Sequence, residues 1–120
     1  MKTQRSGTII NISSMNGLVG GAIGYTNTKF AVRGMTKAAA RELSPYNITV
    51  NSVHPGVIHT QMLEQPGVKE AVEKFKQTIP MRRVAEAKEV SHMIIFLASD
   101  EARYSTGSEF VIDGGVTATV

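Results

Sequence analysis

The 120-residue sequence predicts an α/β fold: a doubly wound parallel sheet of three strands with flanking helices. Two observations carry that prediction. Three short runs, Thr8 to Ile12, Ile48 to Val53 and Glu109 to Ile112, are rich in β-branched residues and read as strands buried in a sheet. The segments between them place apolar residues at helical spacing. Strand, helix, strand, helix, strand is the order expected of parallel strands with helices on the sheet faces.

Taken in order, Thr8 to Ile12 leads into a loop punctuated by Gly17, Gly20, Gly21 and Gly24. A helix is expected from Tyr25 to Ser44, with Val32, Met35, Ala39 and Leu43 as its apolar stripe and Pro45 as its stop. The strand from Ile48 ends before Pro55-Gly56. From His59 to Met81 the chain is polar with one short helix, whose stripe is Val68, Val72, Phe75 and Ile79, ended by Pro80. A further helix spans about Ala85 to Ala98. Glu86 and Glu89 lie in its first turn, where the helix dipole favours negative charge. Its stripe is Val90, Met93, Ile94 and Leu97, expected to pack on the sheet.

Bulk properties narrow the function. The chain is one domain at most, 42% hydrophobic and 19% charged, without low-complexity tracts. It has no cysteine, which excludes a disulfide framework and fits a cytoplasmic protein. No apolar run approaches the ~20 residues that span a bilayer, so no membrane partner is expected. The net charge is +3, but the basic residues are scattered and only Arg82-Arg83 are adjacent. That reads as a solvated surface, not a nucleic-acid patch. His54, His59 and His92 lack the spacing of a metal site.

The chemistry concentrates near Asn11-Ile-Ser-Ser14 and Tyr25-Thr-Asn-Thr-Lys29. On a helix Tyr25 and Lys29 are an i,i+4 pair on one face. A tyrosine hydroxyl near its reference pKa of about 10 is a poor base at neutral pH; an ammonium group beside it favours the phenolate. A nearby serine can donate to a substrate oxygen. With three tyrosines and seven lysines the spacing alone arises by chance roughly one time in six, so its context matters. Ser13-Ser14 and Pro55-Gly56 both follow strand ends, and ligands of doubly wound sheets bind outside the carboxyl ends of the strands.

The series Gly7-Thr-Ile-Ile-Asn-Ile-Ser-Ser14, Tyr25-x-x-x-Lys29, Val50-Asn-Ser-Val-His-Pro-Gly56, Thr60 and Gly107 through Gly115 resembles the C-terminal half of a short-chain dehydrogenase/reductase. Within that family, Lys29-Phe-Ala-Val-Arg-Gly34 and Asn51-Ser-Val-His-Pro-Gly56 look most like bacterial 3α/20β-hydroxysteroid dehydrogenases. The resemblance implies a Rossmann-like domain and an oxidoreductase that uses NAD or NADP on a small-molecule alcohol or ketone, assembled as a homo-oligomer. It makes Tyr25 the proton donor or acceptor, Lys29 its partner and a ligand of the nicotinamide ribose, and Ser14 the group that polarises the substrate carbonyl, with Ser13 the alternative. Pro55, Gly56, Val57, Ile58 and Thr60 resemble the loop at the nicotinamide end of the cofactor; a simple strand-ending turn would also explain Pro-Gly. Asp113-Gly114-Gly115 reads as a turn.

Two departures stand out. No Gly-x-x-x-Gly-x-Gly turn precedes a helix, so the phosphate-cradling loop of a dinucleotide site is expected upstream of Met1 and the chain is expected to be an incomplete domain. The Ser14 to Tyr25 spacing is also shorter than is usual in the family, which the glycine-rich loop must absorb.

Overall fold

A computed structural model describes residues 1–119. Strands β1 (Gly7–Ile12), β2 (Ile48–Pro55) and β3 (Glu109–Ile112) form one sheet in the order β1-β2-β3, all parallel. Gly7 pairs with Ile48 and Ile12 with Val53; Ser52 pairs with Glu109 and Pro55 with Ile112. Helices α1 (Tyr25–Leu43), α2 (Val68–Lys76) and α3 (Ala87–Ala98) fill the connections.

The strand pleat sends alternate side chains to opposite faces, and each face receives one helix. Ile48 and Val50 meet Ala40 of α1, with Ile9, Ala39, Leu43 and Tyr46 packed around them. Val53 meets Leu97 of α3 and Ala102, with Ile10, Val90, Met93, Ile94, Phe110 and Ile112 around those. The α3 stripe is thus the one its periodicity predicts. Its start is set by Glu86, whose backbone N–H donates to the Glu89 carboxylate at 2.7 Å in a capping box.

The α1 stripe differs from expectation at one position. Met35 is 55% exposed, and Thr36 faces the sheet in its place. The Thr36 hydroxyl accepts from Asn11 Nδ2 at 3.0 Å and donates to the Val32 carbonyl at 2.8 Å. A polar residue buried through hydrogen bonds leaves no trace in apolar periodicity. Pro45 ends α1, which tightens into a 3-10 turn at Ser44–Tyr46.

Strand β2 is buried almost throughout, including Thr49, Asn51, Ser52 and His54. β1 is only half-buried, because among the described residues it pairs on one side alone. α2 stops at Lys76, short of Pro80, while Ile79 is buried beyond it against Gly114.

Candidate active site

Parallel pairing brings the carboxyl ends of β1, β2 and β3 to one edge of the sheet. Ser13 continues β1 by donating its backbone N–H to the Val53 carbonyl at 2.8 Å. Its hydroxyl donates to the Lys29 carbonyl at 2.9 Å, so that proton is already committed. The Ser14 hydroxyl oxygen instead accepts from the Asn16 backbone N–H at 3.1 Å. Its own proton stays free to donate, which favours Ser14 over Ser13 as a donor to a ligand.

Tyr25 is the first residue of α1 and about half exposed. Its hydroxyl makes no hydrogen bond among the described residues, so it is open to a ligand. Lys29 lies one turn on, its Nζ 5.5 Å from the Tyr25 ring centre and 3.4 Å from the Ile12 carbonyl oxygen. The end of β1 and the start of α1 thus meet through Ser13 and Lys29, with Ser14 next along the chain and Tyr25 one turn before Lys29.

The loop after β2 is fixed by backbone contacts on both of its sides. Gly56 donates to the Ile112 carbonyl at 2.8 Å, and a Cβ there would lie 2.9 Å from Asp113 Cα, so only glycine fits. Ile58 forms a parallel bridge with Ala85: Ala85 N–H donates to the Val57 carbonyl at 3.1 Å and His59 N–H to the Ala85 carbonyl at 2.7 Å. In that pattern the N–H and C=O of Ile58 itself turn to the opposite side, free for hydrogen bonds. Exposed Thr60 follows, its hydroxyl uninvolved in capping the next turn. A cavity of about 130 Å³ lined by Val57, Ile79, Met81, Ala85 and Ile112 lies beside this loop, too small for a dinucleotide.

Asp113 has its carboxylate engaged with the Gly115 and Thr117 N–H groups at 2.9 and 3.0 Å and the Thr117 hydroxyl at 2.7 Å. Burial alone would raise its pKa, but these bonds outweigh burial and hold it below its ordinary value. Such a carboxylate ties a turn together. Exposed Glu64 pairs with His59 at 2.6 Å, and that hydrogen bond lowers its pKa. No group of three or more His, Cys, Asp or Glu that could hold a metal ion occurs among the described residues, and no described helix is long and apolar enough to cross a membrane.

Sequence reasoning missed His54. It is fully buried, with both ring nitrogens hydrogen-bonded. The available signal was its place two residues from Ser52 on the same face of a buried strand.

The family model described as enoyl-(acyl carrier protein) reductase matches residues 1–117. The chain is 52% identical over 120 residues to the 3-alpha-(or 20-beta)-hydroxysteroid dehydrogenase of Mycobacterium tuberculosis, covering 98% of this chain and 44% of that protein. It is 47% identical over 123 residues to the cyclopentanol dehydrogenase of Comamonas testosteroni, covering 98% and 48%. The crystal structure of levodione reductase superposes with a TM-score of 0.93 at 34% identity, over 100% of this chain and 50% of that one. The chain belongs to the short-chain dehydrogenase/reductase family, and it spans about half the length of the relatives it matches.

Proposed function

We propose that these residues form the catalytic half of an oxidoreductase that moves a hydride between NAD(P) and a secondary alcohol or ketone of hydroxysteroid-like type. The observation that carries this reading is the placement of Lys29 one turn from an open Tyr25 hydroxyl, beside the Ser14 turn. The nicotinamide supplies or accepts the hydride when bound. In the oxidative direction Tyr25 takes the alcohol proton as the carbon gives up its hydride, and the product is a ketone. In reduction Tyr25 returns the proton to the carbonyl oxygen. Ser14 donates a hydrogen bond to that oxygen, and Lys29 keeps its ammonium group beside Tyr25 and binds the ribose. Pro55, Gly56, Val57, Ile58 and Thr60 hold the nicotinamide end. The names of the hydroxysteroid and cyclopentanol dehydrogenases support a secondary alcohol carried on a ring.

A second reading is a non-catalytic pairing module, favoured by the outer edge of β1, which has no strand partner among the described residues. A chimera separates the two. Residues 1–120 replace the matching segment of the Mycobacterium tuberculosis hydroxysteroid dehydrogenase, and ring ketones are screened with NADH and NADPH. Turnover by the chimera is expected. A folded chimera without turnover, beside an active parent enzyme, contradicts the oxidoreductase reading and leaves the pairing module.

A further inference from the structure

We propose that His54 is a positioning residue that fixes where the Ser14 hydroxyl stands; the inference rests on the reading of Ser14 as the group that polarises the substrate oxygen. His54 is 0% exposed near the end of β2. Its Nδ1 lies 2.9 Å from the Ser14 carbonyl oxygen and its Nε2 2.8 Å from Ser52 Oγ. A carbonyl oxygen can only accept, so Nδ1 carries the proton; in the neutral ring Nε2 then accepts from the Ser52 hydroxyl. Ser52 is itself fully buried on the same strand, so the imidazole is oriented from both ends.

The Ser14 turn has three holding bonds on that residue. Its carbonyl also accepts from the Gly17 N–H at 2.9 Å, and its hydroxyl oxygen accepts from the Asn16 N–H at 3.1 Å. Both of those come from within the turn. Of the three, only His54 reaches it from the rigid middle strand of the sheet. The Nδ1 proton is committed to a backbone oxygen, so His54 is not a base for Ser14.

Gly17 is the second observation. A Cβ there would collide with Ser13 Oγ and stand 2.9 Å from the Lys29 carbonyl oxygen and 3.3 Å from His54 Nδ1. The turn, α1 and His54 meet where nothing larger than glycine fits. The loop that follows, with Gly20, Gly21 and Gly24, is mostly exposed and has no stiffness of its own to locate Ser14. The strand supplies it through His54.

Two variants of the chimera test this. His54→Leu keeps bulk and removes the donor, whereas His54→Asn keeps an N–H near the Nδ1 position. Hydrogen exchange at the Asn16 and Gly17 amides is expected to speed about tenfold in His54→Leu and stay near wild type in His54→Asn, with α3 amides unchanged. kcat is expected to fall about tenfold in His54→Leu at unchanged cofactor KM, to recover most of that loss in His54→Asn, and to fall little further when His54→Leu is added to Ser14→Ala. Unchanged exchange or kcat in His54→Leu overturns the proposal, as does an additive loss on Ser14→Ala or equal losses in the two variants. A Tyr25→Phe chimera as active as its parent instead sinks the proton-transfer reading, while the exchange readout still decides on His54.

Discussion

Lys29 Nζ stands 5.5 Å from the centre of the Tyr25 ring and 3.4 Å from the carbonyl oxygen at Ile12, the last residue of β1. One helical turn separates the two side chains, and the strand end gives the ammonium group a fixed anchor. In the proposed reaction this cation stands one turn from the phenol that transfers the proton. Lys29→Ala in the chimera is therefore expected to lower kcat by about a hundredfold or more, the scale of general acid–base catalysis. Because Lys29 is half-buried and makes one long hydrogen bond, thermal unfolding should change little. Steady-state kinetics beside a melting curve check both halves of this expectation.

Gly17→Ala should destabilise the fold by about 1–3 kcal/mol, as overpacking does, because its Cβ enters the junction of Ser13, Lys29 and His54. Gly20→Ala, in the same loop with nothing within 4 Å of the added carbon, should stay within about 0.5 kcal/mol. Denaturant unfolding of the two variants measures the contrast.

Acid should loosen the attachment of α1 to β3. Glu109 accepts from Arg33 Nε at 2.6 Å and faces Lys37 Nζ at 3.1 Å. Burial alone would raise its pKa, but the bonds and charges of Arg33 and Lys37 outweigh burial and hold it below 4.5. Glu89 is lowered to about 2, first through its hydrogen bond to Arg83. A carboxylate depressed in the folded state adds stability above its unfolded pKa and loses it as pH falls through the folded value. The melting temperature should thus hold above pH 4.5 and fall below it, less steeply in Glu109→Gln.

Much of this architecture is legible in the sequence. β3 runs from Glu109 to Ile112 as its apolar run predicts, and Val90, Met93, Ile94 and Leu97 pack on the sheet because helical spacing forces them to one face. Tyr25 and Lys29 are found on one side of α1 for the same reason. What escaped is the polar line beneath α1, where Asn11 meets Thr36, Ser13 meets Lys29, and Ser52 and His54 lead to Ser14. Periodicity detects side chains buried for being apolar. It does not see those buried because a partner from a distant segment completes their hydrogen bonds. The difference between Ser13 and Ser14 is of this kind, since it turns on which hydroxyl proton a carbonyl on α1 already holds.

Residues 1–120 alone should self-associate at micromolar concentration. Among the described residues the outer edge of β1 has no strand partner, and Ile12, Ile23, Phe30 and Met35 are all at least 40% exposed. Sedimentation velocity over a concentration series should show growing species. A sharp monomer at every concentration, with cooperative thermal unfolding, would show a self-sufficient domain.

The measurement that bears most directly on the central claim is kcat of the Tyr25→Phe chimera on a ring ketone. The change removes one hydroxyl from a half-exposed side chain that packs little, so the fold should survive. If Tyr25 moves the substrate proton, turnover falls to below about one per cent of the parent at unchanged circular dichroism. Retention of more than a few per cent of the parent kcat would contradict that role.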